Sequence, residues 1–133
     1  MLIENGADVN YMTDDGFTPL YIASAEGNYN LAELFIQKGA KVDLGDMVTP
    51  FMLACAYEYF DVADLLLKNG ANINAIDKDG RSALFMAKVR KNDRIITYLL
   101  NRGANCYIVD KFGYSIENLN NEKLREKLYN EIF

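Results

Sequence analysis

The stretch DDGFTPLYIASAEGN, residues 14–28, decides the fold. Thr18 and Pro19 stand directly before an apolar, alanine-containing run, and Gly27 follows it. A threonine hydroxyl accepts a bond from an orphan backbone N–H at a helix start. Proline suits the first helical position, where its missing N–H costs nothing. Glycine suits the stop, because it takes the left-handed conformation without a Cβ clash. The stretch therefore predicts a short helix. Isolated helices under about 12 residues are marginal in water, so something must pack on this one.

The same pattern recurs along the 133 residues. Gly-Ala pairs stand at Gly6-Ala7, Gly39-Ala40, Gly70-Ala71 and Gly103-Ala104, spaced by 33, 31 and 33 residues. The helix starts Thr18-Pro19-Leu20, Thr49-Pro50-Phe51 and Ser82-Ala83-Leu84 keep step with them. A second apolar run precedes three of the pairs, in LAELFIQKGA, VADLLLKNGA and IITYLLNRGA. Self-similarity at a fixed period of this length is the mark of a repeat architecture.

These residues resemble the ankyrin repeat, whose pattern is an Asp-x-x-Gly-x-Thr-Pro-Leu turn and inner helix, an outer helix ending in Leu-Leu, then Gly-Ala and a hairpin loop. DKDGRSALFMAKVRKNDRIITYLLNRGAN, residues 77–105, shows it with Ser82-Ala83 in place of Thr-Pro. The resemblance covers residues 1 to about 116 and implies an all-α fold, an α-solenoid of helix pairs with hairpin or loop fingers. The expected organisation is one domain: a partial repeat over 1–12, full repeats over 13–44, 45–75 and 76–108, and a last turn with a capping helix over 109–133. Leu20, Ala23, Leu31, Leu34 and Phe35 lie at helical spacing and are expected to face the stack. Phe51, Ala54, Val62, Leu65 and Leu66 repeat that register, as do Leu84, Ala87, Ile95, Tyr98 and Leu99. Cys55, beside Ala54, reads as a buried small hydrophobe.

The pattern also breaks in places. The family commonly has histidine after Thr-Pro-Leu; Tyr21, Met52 and Phe85 stand at those positions, and the chain has no histidine. Glu58 and Lys91 occupy the register of Gly27. If those sites need positive φ, each costs about 1 kcal/mol relative to glycine. The loop KVDLGDMV is two residues short, which predicts an irregular second finger. Past Ser115, the apolar positions Ile116, Leu119, Leu124, Leu128 and Ile132 predict one amphipathic capping helix. At the other end the chain begins inside a repeat, so Leu2 and Ile3 are expected to join an apolar edge that favours self-association.

Composition excludes several functions. Without histidine there is no Ser-His or Cys-His catalysis, and most zinc sites are closed off. No Gly-x-Gly-x-x-Gly, P-loop or CxxC pair occurs. Asp14-Asp15 and Asp77/Asp79 read as turn acids, since the calcium-loop pattern with its closing glutamate is missing. The expectation is a non-enzyme with no cofactor and no metal. No leader segment or run long enough to span a membrane is seen, which reads as cytoplasmic.

Charge is uneven. Residues 1–66 carry eleven acids and two bases, and residues 67–133 carry eight acids and twelve bases. Lys78, Arg81, Lys88, Arg90, Lys91 and Arg94 crowd the third repeat. The overall net charge of −5 argues against a nucleic-acid partner, though binding of nucleic acid or another acidic partner on that local patch stays an alternative. So does a purely structural segment with no binding site of its own.

What the resemblance implies is binding of a protein partner on a concave face made by the turns and inner helices. Carried over by position, its candidates are Met12, Asp14, Asp15, Phe17, Ala25 and Glu26 in the first repeat. Asp46, Val48, Ala56 and Tyr57 follow in the second, and Ile76, Lys78, Asp79, Arg81, Val89 and Arg90 in the third. The last turn supplies Val109, Lys111, Phe112 and Tyr114. Phe17, Tyr57, Phe112 and Tyr114 stand out, because the fold does not ask for aromatics there and exposed aromatics make interface hot spots. The competing reading packs each against a neighbouring hairpin or the terminal helix. Asn10 and Asn74 match the hairpin asparagine that is hydroxylated in some members of the family.

Overall fold

The computed structural model describes residues 8–44 and 48–133, which form two compact units, 1–72 and 73–133. The expectations for Leu2, Ile3 and the first Gly-Ala pair lie outside the described residues, as does Asp46. The short second finger falls partly outside them too.

In the first unit, α1 (Pro19–Glu26) packs on α2 (Tyr29–Gln37) and on α3 (Pro50–Ala56), and α4 (Phe60–Lys68) packs on α2 and α3. In the second, α5 (Ala83–Arg90) packs on α6 (Asp93–Asn101) and on α7 (Glu122–Ile132), and a 3-10 helix (Glu117–Asn120) adjoins α7. Each inner helix starts as the sequence predicts. The hydroxyls of Thr18, Thr49 and Ser82 accept from the backbone N–H of Tyr21, Met52 and Phe85, at 3.1, 3.2 and 3.3 Å. Asn28 and Asn92 cap α2 and α6 in the same way. Tyr59 stands at the corresponding start of α4 and supplies no side-chain cap.

Apolar burial follows the repeat register. Leu20, Ala23 and Phe35 are buried, as are all five register positions of the second repeat and all five of the third. Cys55 is buried beside Ala54. Leu31 and Leu34 are only half-buried, because α2 turns Ala32 and Phe35 inward instead. Among the described residues, pairing of β type is confined to single antiparallel bridges, Ile76 with Ser82 and Val109 with Ser115. The fingers are thus turns with little strand. They are tied together by side chains: Asn10 Oδ1 accepts from Lys41 N at 2.7 Å, and Asn10 Nδ2 donates to the Gly39 carbonyl. Asp43 accepts from Asn72 N, and Asn74 Oδ1 from Asn105 N at 2.7 Å.

The inner helices all end on a left-handed residue: Gly27 at φ 68°, Glu58 at 61° and Lys91 at 56°. The following N–H reaches back to the fifth carbonyl before it, Asn28 to Ala23, Tyr59 to Ala54 and Asn92 to Ala87. Glycine is the unstrained residue for this conformation. Lys91→Gly is therefore expected to stabilise the protein by about 1 kcal/mol, read by urea unfolding. The lysine's ion pair with Glu122 joins two well-exposed side chains, so its loss subtracts little.

The C-terminal segment differs from the expected single helix. Asn121 leaves helical geometry and its side chain caps α7 by accepting from Leu124 N. The segment is a 3-10 turn and a helix, split at that cap. Ile116, Leu119 and Leu128 are buried as expected, while Leu124 and Ile132 are half-buried. Arg125 anchors α7 by donating from Nη1 to the Val89 carbonyl at 2.8 Å.

Candidate functional site

In the first unit the candidate residues centre on the turn before α1. Thr13 organises that turn: its hydroxyl accepts from Phe17 N, its N–H donates to the Phe17 carbonyl, and Gly16 N donates to its own carbonyl. Asp14, Asp15 and Glu26 are exposed, while Met12 and Val48 are half-buried. Phe17 is 39% exposed and stacks on Tyr21, with ring centroids 4.9 Å apart. Tyr57, at the end of α3, is 58% exposed and lies 6.0 Å from Tyr59 between centroids. Burial raises the Tyr21 phenol above its usual pKa, and Tyr57 adds to the shift. Phe17, before α1, thus stacks on Tyr21 of α1, and Tyr57, just past α3, is near enough to act on the Tyr21 phenol; α1 and α3 pack together.

In the second unit the turns are built on aspartates. Asp77 Oδ1 accepts from Asp79 N and Arg81 N, at 2.9 and 3.0 Å. Asp110 Oδ1 accepts from Phe112 N and Tyr114 N, both at 2.9 Å. The second turn lies against the first, with Lys111 N donating to the Asp79 carbonyl at 2.9 Å. Gly80 permits this approach, because a Cβ there would meet the backbone nitrogen of Lys111 at 3.0 Å.

Between these turns sits Arg81. Its Nε donates to Asp110 Oδ2 at 3.2 Å, its Nη1 lies 3.8 Å from Asp79 Oδ2, and its guanidinium carbon lies 5.6 Å from the ring centres of Phe85 and Phe112. Arginine on an aromatic face gains from the ring quadrupole. Arg81 is 6% exposed. The expectation that Arg81 contacts a partner is corrected accordingly: it joins turns within the protein instead of facing outward. Val89 is corrected too. It is fully buried, because α7 packs on α5 and Arg125 takes its carbonyl.

The other candidates in this unit keep a surface. Ile76, Lys78, Arg90 and Phe112 are exposed, while Asp79 and Tyr114 are half-buried. Phe112 lies beneath Lys111 Nζ, 5.0 Å from its ring centre, and Arg90 lies over the Phe133 ring at 5.1 Å. An open depression of about 440 Å³ between the end of α5 and α7 is lined in part by Arg90, Lys91 and Arg125, but Glu122 pairs with the last two.

Two carboxylates are held below their usual range. A hydrogen bond from Lys111 does this chiefly for Asp79, and one from Lys91, then one from Arg125, for Glu122. A depressed folded pKa gives stability that is complete above the unfolded value and lost as pH falls through the folded one. Acid weakening is therefore expected below about pH 4. Asp79→Asn with Glu122→Gln should flatten that limb of a melting-temperature profile.

Asp77 holds its turn as the sequence predicts, while Thr13 and Asp110 are turn supports that the sequence analysis does not name. Their signal was present: each stands three residues before a turn glycine, Gly16, Gly80 and Gly113.

Comparison with known proteins agrees with this architecture. A family model described as ankyrin repeats (3 copies) matches residues 43–110, and one described as ankyrin repeats (many copies) matches residues 1–36. The chain belongs to the ankyrin repeat family. It is 33% identical over 112 residues to Ankyrin repeat and SAM domain-containing protein 6 of Mus musculus, covering 84% of this chain and 9% of that protein. It is 42% identical over 45 residues to Transient receptor potential cation channel subfamily A member 1 of Homo sapiens, covering 34% of this chain and 4% of that protein. With Ankyrin-3 of Rattus norvegicus it shares 49% over 41 residues, 31% of this chain and 2% of that protein. The chain thus spans less than a tenth of each of these relatives. Ankyrin repeats are generally protein-interaction modules without enzymatic activity. Among the described residues no helix is long and apolar enough to cross a membrane.

Proposed function

We propose that this ankyrin repeat chain acts as one protein-recognition domain, as a scaffold, adaptor or inhibitor. A partner protein would contact the turns and inner helices. The observation that carries the reading is the pair of exposed rings at the ends of α1 and α3: Phe17, stacked on Tyr21, and Tyr57, which acts on the Tyr21 phenol. Large exposed aromatics are costly to leave bare and are favoured at interface hot spots. Asp14, Asp15 and Glu26 would form the rim beside them, with Met12 and Val48 at its edge. Ile76, Lys78, Asp79, Arg90, Phe112 and Tyr114 would form the contact surface of the second unit.

Truncation separates recognition from core packing. Phe17→Ala and Tyr57→Ala are each expected to change stability by no more than about 1 kcal/mol, the value of an exposed ring stack. Each should weaken partner binding by about 2 kcal/mol or more. Thermal melting gives the first quantity, and titration of a partner recovered with the intact protein gives the second. Losses of about 3–5 kcal/mol in stability at both positions would make the rings core residues and remove this surface.

A further inference from the structure

The two units hold the same chemical ingredients in different states. In the second, an arginine is held by two carboxylates and lies over two aromatic rings: Arg81 with Asp79, Asp110, Phe85 and Phe112. In the first, Phe17 occupies the register of Arg81 and Tyr21 that of Phe85, with Asp14 and Asp15 in the same turn. That unit has rings and carboxylates and no guanidinium. The first arginine of the chain is Arg81 itself.

Charge sharpens the contrast. Residues 1–72 carry eleven acids and three bases. The three bases are Lys38, Lys41 and Lys68, and none lies on α1, on α3 or in the turn before α1. Phe17, with one ring face stacked on Tyr21, and the more exposed Tyr57 thus belong to an acidic unit whose three cations are remote from them in sequence. A ring face attracts a cation through its quadrupole, and a guanidinium is the cation best suited to stacking on it.

We propose that the α1–α3 face docks a basic, arginine-bearing segment of a protein partner, with guanidinium groups stacked on Phe17 and Tyr57 and steered by Asp14, Asp15 and Glu26. This deepens the protein-recognition reading and rests on it. Arginine is favoured over lysine at such a site, because its planar group stacks and is less strongly hydrated. Acidic segments are excluded by the field of the unit, and a purely apolar one would leave the three rim carboxylates without a role.

The test titrates the full chain with fluorescein-labelled peptides alternating glycine with arginine, lysine, citrulline or glutamate, read by anisotropy and by amide shifts. The arginine peptide is expected to bind saturably, to shift residues of α1, α3 and the 13–18 turn, and to weaken steeply with salt. Phe17→Ala with Tyr57→Ala should weaken it about tenfold, the loss of two cation–π contacts. Gln37→Ala, at the exposed end of α2, should leave it unchanged. Asp14→Asn with Asp15→Asn, which leaves the rings in place, should also weaken it and guards against misfolding of the ring variant. Equal binding of the citrulline peptide, or indifference to both double variants, overturns the inference. So does a recovered partner whose docking segment maps to an acidic or uncharged sequence, although protein recognition would then stand. Salt-sensitive self-association abolished by the ring variant, with no peptide binding, assigns the face to a second copy and also overturns it. Absence of both peptide binding and any ring-dependent partner removes the recognition reading as well.

Discussion

Replacing Asp110 by alanine should lower the unfolding free energy by about 3–5 kcal/mol, the cost of leaving a buried charge without its partner. The Asp110 side chain is fully buried, and it does two things. One oxygen holds the turn through the N–H groups of Phe112 and Tyr114. The other takes Arg81 Nε, which is also buried. Asp110→Asn separates the two roles. It keeps an oxygen for the turn and removes the charge, so it should cost less than alanine. Arg81→Met placed on top of Asp110→Asn should then recover part of the loss, because it removes a buried guanidinium left with the more distant Asp79 as its carboxylate partner. A double-mutant cycle in urea should give a coupling above about 1 kcal/mol. Simple additivity would mean that the pair is dispensable and that the turn alone carries the effect.

A second large effect is expected at Gly27. Its φ of 68° already disfavours a side chain. A Cβ there would also stand 2.7–2.8 Å from three carbons of the Tyr59 ring. Gly27→Ala should therefore cost about 2–4 kcal/mol, combining left-handed strain with overpacking. Gly39 provides the control. It has φ 97° and open space around its Cβ direction, so Gly39→Ala should show the backbone cost alone. Tyr59→Leu in the Gly27→Ala background should relieve the clash and leave the strain. Equal losses at Gly27 and Gly39 would show that the tyrosine moves aside freely.

These two sites mark what a sequence can and cannot disclose. The left-handed ends at Glu58 and Lys91 were legible, because both residues stand in the register of Gly27 and share its backbone geometry. The capping hydroxyls of Thr18, Thr49 and Ser82 were legible for the same local reason. Tyr59 over Gly27 was not, since the sequence shows a missing cap at that position and nothing of where the ring goes. Arg81 stands among the expected binding positions through its place beside the turn glycine, Gly80. Its burial depends on Asp110, which the chain places 29 residues away. Val89 was misplaced because its register mates Ala25 and Ala56 are not buried. The cover comes from α7, held by a bond from Arg125 to a carbonyl 36 residues earlier. Local geometry follows from residue type and spacing; the fate of an exposed-looking side chain follows from what a later segment lays over it.

The exposed aromatic face of α1 and α3 is the core of the functional account. It is tested most directly by placing a photo-crosslinking benzophenone side chain at position 57 and, separately, at position 37. Gln37 is exposed at the end of an outer helix of the same unit. Irradiated in native extract, the full chain carrying the probe at 57 should form discrete adducts with one or a few proteins, suppressed by Phe17→Ala, while the probe at 37 should not form them. The same adducts from both positions, or none from position 57, would contradict recognition through this face.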